Sequence, residues 1–316
     1  MASSIFSSEK RSLLALLTAA VISLLLGIVN IVTYINISKQ KDGSAAEDRF
    51  YRLKIIPEKK HDMVFIGDSR VITGINPEIF ERKLNCSAYN CAFFAGSANE
   101  TIYKHTADKH LSSDQSRNRA VVIGITPMVM AESTRSNGQF VNLTQRFSRN
   151  ENIFAKYFKI LFKKIRTKDV KSLFIAKVPS TVFHENGFLE RFAKVSRKAQ
   201  QSSMNSYKIF FENYQFSHQS LLEMQKRIES WKKENITVFA FRPPVNIEMD
   251  TLENNAGKCD FEHIRKAIEA AGGVWLEVEN RSQYTSYDSS HLASAEARLL
   301  SEDLAEKISL YFQHHK

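Results

Sequence analysis

Between Ser12 and Ser38 the sequence carries no charged residue. The run exceeds the roughly 20 residues that cross a bilayer, so residues 12–37 are read as one transmembrane helix behind a short tail, residues 1–11. The run ends in Ile31, Tyr34 and Ile35 rather than an Ala-x-Ala pattern, which argues against a cleaved signal peptide. Lys10 and Arg11 flank one end, Lys39 and Lys41 the other, so flanking charge barely orients the segment. The short tail favours a domain on the extracytoplasmic side.

Cysteine is scarce. Cys86, Cys91 and Cys259 are all there is, with no Cys-x-x-Cys spacing, so no metal site of that type is expected. Cys86 and Cys91 could pair in an oxidising compartment or stay as buried thiols; Cys259 is unpaired either way. Internal repeats are absent too. At 43% hydrophobic and 25% charged residues, the rest has the composition of a globular protein with a core.

Negative charge is lacking in one region. Residues 141–200 hold 14 Lys and Arg against 4 Asp and Glu, a net +10 that equals the whole chain's. The basic balance is therefore local. Within this region Phe154, Phe158, Leu161, Phe162 and Ile165 form an apolar stripe, with Lys156, Lys159, Lys163, Lys164 and Arg166 projecting largely elsewhere. Such a helix can lie on an anionic bilayer or pack on the domain with its lysines solvated. Nucleic acid is not an expected partner.

What is present follows an α/β pattern. Residues 38–58 read as a polar spacer. Strand candidates are 63–66, 87–91, 120–125, 236–241 and 274–278. Helical faces lie between them, with Leu221, Met224, Ile228 and Trp231 on one and Phe261, Ile264, Ile268 and Ala271 on another; a last helix starts near Ser294. Alternation of this kind predicts a parallel, flavodoxin-like sheet in a three-layer α/β/α sandwich. That domain spans 59–316, with a basic helical insertion at about 131–213. Parallel sheets bind ligands at the carboxyl ends of their strands. Ser69, Ala95-Gly96-Ser97, Gly124-Ile125-Thr126-Pro127, Arg242-Pro243-Pro244 and the Asp288–His291 segment all follow strand candidates.

Two motifs carry the chemistry. Gly67-Asp68-Ser69-Arg70 follows the first strand, and Asp288-Ser289-Ser290-His291 precedes the last helix. They supply a serine, an acid and a histidine, the parts of a nucleophilic acyl-transfer site. Taken alone, Ser69 also reads as a turn residue or helix N-cap. In the catalytic reading Ser69 is the nucleophile, His291 the base and Asp288 its orienting partner. Backbone amides of Ser69 and Gly96 are candidate oxyanion donors. Arg70 and Arg242 are candidates for holding an anionic substrate, or for salt bridges within the domain. No cofactor is expected.

The order Ser, Asp, His, with two residues between the last two, resembles the SGNH/GDSL hydrolase superfamily. The resemblance covers roughly residues 60–130 and 235–314. Its second block usually places Gly five residues after Asn; here Asn90 is followed by Ala95, then Gly96. Its third block usually reads Gly-x-Asn-Asp, and here Gly124-Ile125-Thr126-Pro127 lacks that Asn; Asn99 is a candidate substitute in the oxyanion hole. The apolar N-terminal run, Gly-Asp-Ser-Arg, Gly74-Ile75-Asn76-Pro77, Phe241-Arg242-Pro243-Pro244 and the late Asp-Ser-Ser-His-Leu are similar to membrane-anchored members that modify bacterial surface glycans. These include alginate O-acetylation proteins and the D-alanine-transfer protein of teichoic acid synthesis. The resemblance implies an acyltransferase or esterase acting on an extracytoplasmic glycan, with a membrane-bound O-acyltransferase as partner. A weakly catalytic scaffold and a lipase or lysophospholipase are the competing readings.

Overall fold

The computed structural model describes residues 13–25, 27–28, 43–94, 98–148, 180–255 and 259–315. The chain divides into two compact units, Met1–Ala46 with Arg149–Val178, and Glu47–Ser148 with Pro179–Lys316. In the first unit, residues 13–25 are helical, and the Thr18 hydroxyl donates to the Leu14 carbonyl at 2.8 Å. Among the described residues no helix is long and apolar enough to cross a membrane. Residues 12, 26 and 29–37 of the expected span lie outside the described residues, as does the whole Phe154–Ile165 stripe.

The second unit is built on a five-stranded parallel sheet. Its strands are β1 (Met63–Ile66), β2 (Ala88–Asn90), β3 (Arg119–Gly124), β6 (Ile236–Phe241) and β7 (Val274–Trp275), in the order β2-β1-β3-β6-β7. The two remaining strands, β4 (Thr181–Phe183) and β5 (Leu189–Arg191), form a separate antiparallel hairpin. Counting only sheet strands, the order is 2-1-3-4-5, the flavodoxin-like one. β1 and β3 are buried at every position, as strands covered on both faces must be.

Side-chain alternation sorts the strands between two cores. Val64, Ile66, Val121, Ile123, Val238 and Ala240 face one core, with the helices His218–Lys233 and Phe261–Ala270 supplying Met224, Ile228, Ile264 and Ile268. Met63, Phe65, Ala120, Val122, Phe239 and Phe241 face the other, against Ile72, Phe80, Leu300 and Leu304 from the helices Ser69–Gly74, Pro77–Leu84 and Ser294–His314. The helices thus flank the sheet on both faces.

Three expectations need correction. The stretch 38–58, read as a spacer, contains a helix, Gly43–Ile55, whose Phe50, Tyr51 and Ile55 are buried in the core. These residues fall at helical spacing, and the surrounding charges masked them. Lys54 of the same helix is fully buried: its ammonium donates to the Asn90 carbonyl and, at 2.9 Å, to the Gly187 carbonyl. The insertion is not uniformly helical either. The helices Gly138–Ser148 and Arg197–Glu212 bracket the β4–β5 hairpin. Its first strand, Thr181-Val182-Phe183, carries residues that suit β structure, and pairs with Leu189-Glu190-Arg191. Gly187 turns the chain at φ +83°, where a Cβ would meet the Asn90 carbonyl oxygen at 2.0 Å. The last sheet strand stops at Trp275 rather than 278, because only Val274 and Trp275 pair with β6.

Candidate active site

The site lies where β1 and β3 end side by side, at the point where strand order reverses. Gly67 follows β1 and Gly124 ends β3, and a Cβ on either would strike the Val71 side chain, at 2.5 Å and 2.2 Å. Both glycines therefore let the Ser69–Gly74 helix approach the sheet edge closely. Asp68 caps that helix, its Oδ1 accepting from the Arg70 amide at 2.9 Å. The other oxygen, Oδ2, accepts from the Thr126 hydroxyl at 2.6 Å. Thr126, which stands where the resembling family carries Asn, thus spends its proton on the turn that presents Ser69.

Ser69 is nearly buried, at 7% exposure. Its Oγ lies 2.7 Å from His291 Nε2, and His291 Nδ1 lies 2.9 Å from Asp288 Oδ2. The loop carrying the last two is closed by a bridge between Ser286 and Leu292, with the Tyr287 amide donating to the His291 carbonyl at 3.0 Å. Asp288 Oδ1 accepts from the amides of Ser290, at 3.1 Å, and His291, at 2.8 Å. Two intervening residues therefore let one carboxylate hold both its own loop and the imidazole. Burial pushes the Asp288 carboxyl up, but the hydrogen bonds from His291 and Ser290 outweigh it and hold it below its ordinary value. With Asp288 ionised, Nδ1 keeps the ring proton and Nε2 faces Ser69 as an acceptor.

Ser289 sits between them at φ +75°, a conformation costly for a residue with a Cβ. The Asn246 side chain donates to Ser289 Oγ at 2.9 Å and its amide to the Ser289 carbonyl at 3.3 Å.

The oxyanion candidates fare differently. Ser69 is the first residue of its helix, so its N–H has no acceptor within the helix. Gly96 lies outside the described residues. Asn99 is a correction: its Oδ1 caps the Glu100–His105 helix by accepting from Ile102 at 2.8 Å, and its Nδ2 donates to the Arg135 carbonyl at 2.7 Å. Local capping outcompetes a role in the site, as expected of Asn just before a helix.

Arg70 and Arg242 resolve in favour of salt bridges. Both hold the buried Glu253 carboxylate, Arg70 at 2.5 Å and Arg242 at 2.9 Å. Arg242 also meets Asp250 at 3.0 Å, and Asp250 meets Arg281 at 2.7 Å. Burial works against the Arg70 charge, but the attraction of Glu253, Tyr207 and Asp68 outweighs it and raises its pKa. Arg281 shifts down, through burial and then repulsion from Arg242.

Sequence reasoning missed several supporting residues. Asn90 is fully buried and donates to the carbonyls of Val71, at 2.8 Å, and Ile75, at 3.0 Å, tying the Ser69 helix to β2. Asp68 and Thr126 stood inside quoted motifs; Glu253 and Tyr207 carried no local signal. All three cysteines are free thiols, and burial, first among its causes, raises Cys86 to about 12. Among the described residues no cluster of His, Cys, Asp and Glu could hold a metal.

The chain matches no protein-family model and no curated protein. One solved structure, described as a candidate platelet activating factor of Streptococcus pneumonia, is similar over 89% of this chain and 97% of its own, at 12% identity and a TM-score of 0.40.

Proposed function

We propose that this protein is an SGNH-like serine acyl-transfer enzyme, an ester hydrolase or O-acyltransferase. The observation that carries the reading is the continuous chain from Ser69 Oγ through both ring nitrogens of His291 to Asp288. His291 Nε2 takes the Ser69 proton as Oγ attacks an ester carbonyl, and Asp288 steadies the imidazolium. The tetrahedral oxyanion draws on the Ser69 amide. Its collapse expels the alkoxide, which leaves with the proton from Nε2, and the acyl group stays on Ser69. A water or a sugar hydroxyl then attacks, giving its proton to Nε2, and Ser69 is regenerated. The choice between water and sugar separates hydrolase from transferase.

The charge-free run 12–37 supports an anchored, extracytoplasmic enzyme acting on a surface glycan beside a membrane-bound O-acyltransferase. A reporter active only outside the cytoplasm, fused after Lys316, should be active. Signal from a cytoplasm-restricted reporter alone would overturn that placement.

One observation favours the scaffold reading. Thr126 replaces the usual Asn and turns its hydroxyl to Asp68, and Asn99 is engaged elsewhere. Turnover of a soluble acetyl ester decides between them: the enzyme reading requires sustained hydrolysis that Ser69→Ala abolishes, while the scaffold reading requires weak turnover at most.

A further inference from the structure

The Ser290 hydroxyl is the meeting point of two elements distant in sequence. It is fully buried, accepts from Arg70 Nε at 3.0 Å and hydrogen-bonds the Tyr207 hydroxyl at 2.9 Å. Arg70 follows the nucleophile directly in the chain. Tyr207 comes from the insertion helix Arg197–Glu212. We infer that Ser290, clamped between Arg70 and Tyr207, is a positioning residue that holds the His291 ring on the Ser69 hydroxyl. This rests on the acyl-transfer reading.

Three features support it. First, the clamp is directional. Arg70 Nε points to Ser290 while Nη2 is fixed by Glu253 at 2.5 Å, so the guanidinium cannot swing without breaking a buried ion pair. Second, the arrangement is costly. Arg70 Nη1 is buried with no hydrogen-bond partner among the described residues, so its donor is desolvated without compensation. An apolar contact would hold the loop with less desolvation but without aiming it. Third, the loop needs holding. Ser289 keeps an unfavourable positive φ, a strain that persists only where surroundings enforce it. The insertion adds further ties at the loop's margins: the Ser196 amide to the Tyr287 carbonyl at 3.2 Å, and the Gln200 amide group to the Ser286 carbonyl at 3.4 Å. The insertion thereby completes the site from a region the resembling motifs do not cover.

A misplacement of about 1 Å can cost about 100-fold in rate. The test is the rate at which a fluorophosphonate labels the full chain in Tyr207→Phe, Ser290→Ala and Ser290→Thr. Labelling should slow about tenfold in Tyr207→Phe and by about 10- to 100-fold in Ser290→Ala. Ser290→Thr, which keeps the hydroxyl, should recover most of the rate. Wild-type labelling rates with only a lowered melting temperature, or a Ser290→Thr rate as slow as that of Ser290→Ala, would make Ser290 merely structural and overturn the inference. If Ser290→Ala does not fold, Tyr207→Phe, which removes one hydroxyl, decides alone. Ser69→Ala separates the two levels. Loss of labelling there with unaffected Tyr207→Phe and Ser290→Ala sinks only the clamp, whereas labelling that survives Ser69→Ala sinks the acyl-transfer reading and the clamp with it.

Discussion

His291 Nε2 lies 2.7 Å from Ser69 Oγ across 222 positions of sequence. Two strand-end loops meet there, and the first prediction concerns what each contributes. His291→Ala should lower esterase turnover by at least about 100-fold, the lower range for a lost general base. Asp288→Ala should be milder, because the imidazole remains. Steady-state kinetics on a soluble acetyl ester check this, and a His291→Ala rate above about a tenth of wild type would exclude the base role.

Thr126→Val should loosen the turn that presents the nucleophile. It deprives the buried Asp68 carboxylate of its 2.6 Å donor and should destabilise the protein by about 1–3 kcal/mol, the usual cost of a buried group left unpaired. Urea unfolding measures this. An unchanged midpoint would show that the Asp68–Thr126 contact contributes nothing.

The buried histidines make the fold acid-sensitive. Burial, above other causes, lowers His61 from 6.5 to about 4 and His110 from 6.5 to about 3. His110 stacks on Tyr89 and His61 packs against the same ring at a tilt, and His110 Nε2 meets the Lys54 carbonyl at 3.1 Å. The unfolded chain binds these protons first as pH falls, so their contribution is fully present above about pH 6.5. It is lost progressively as pH falls toward 4 and then 3. Melting temperature against pH should decline through this window, and His110→Asn should flatten the decline. An equally steep curve in the variant would contradict the assignment.

Much of this was legible in the sequence, and the limits have physical causes. Strands β1, β3 and β6 announced themselves as apolar runs because both their faces are covered. Ser69, Asp288 and His291 were legible because each sits in a short segment whose local geometry does the work: a capped turn in one case, a bridge-closed loop in the other. The Gly43–Ile55 helix was hidden because its apolar residues alternate with charges. Asn99 misled because an Asn before a helix reads equally as cap or donor. Tyr207 and Glu253 were invisible, and Asn90 was read only for its spacing to Gly96, because all three act through long-range contacts that no spacing encodes.

The central claim is that Ser69 is the acyl-accepting nucleophile, and peptide mass spectrometry after fluorophosphonate treatment tests it most directly. One adduct is expected, on the peptide carrying Ser69, absent in Ser69→Ala and strongly slowed in His291→Ala. An adduct on another serine, or labelling undiminished in Ser69→Ala, would contradict it.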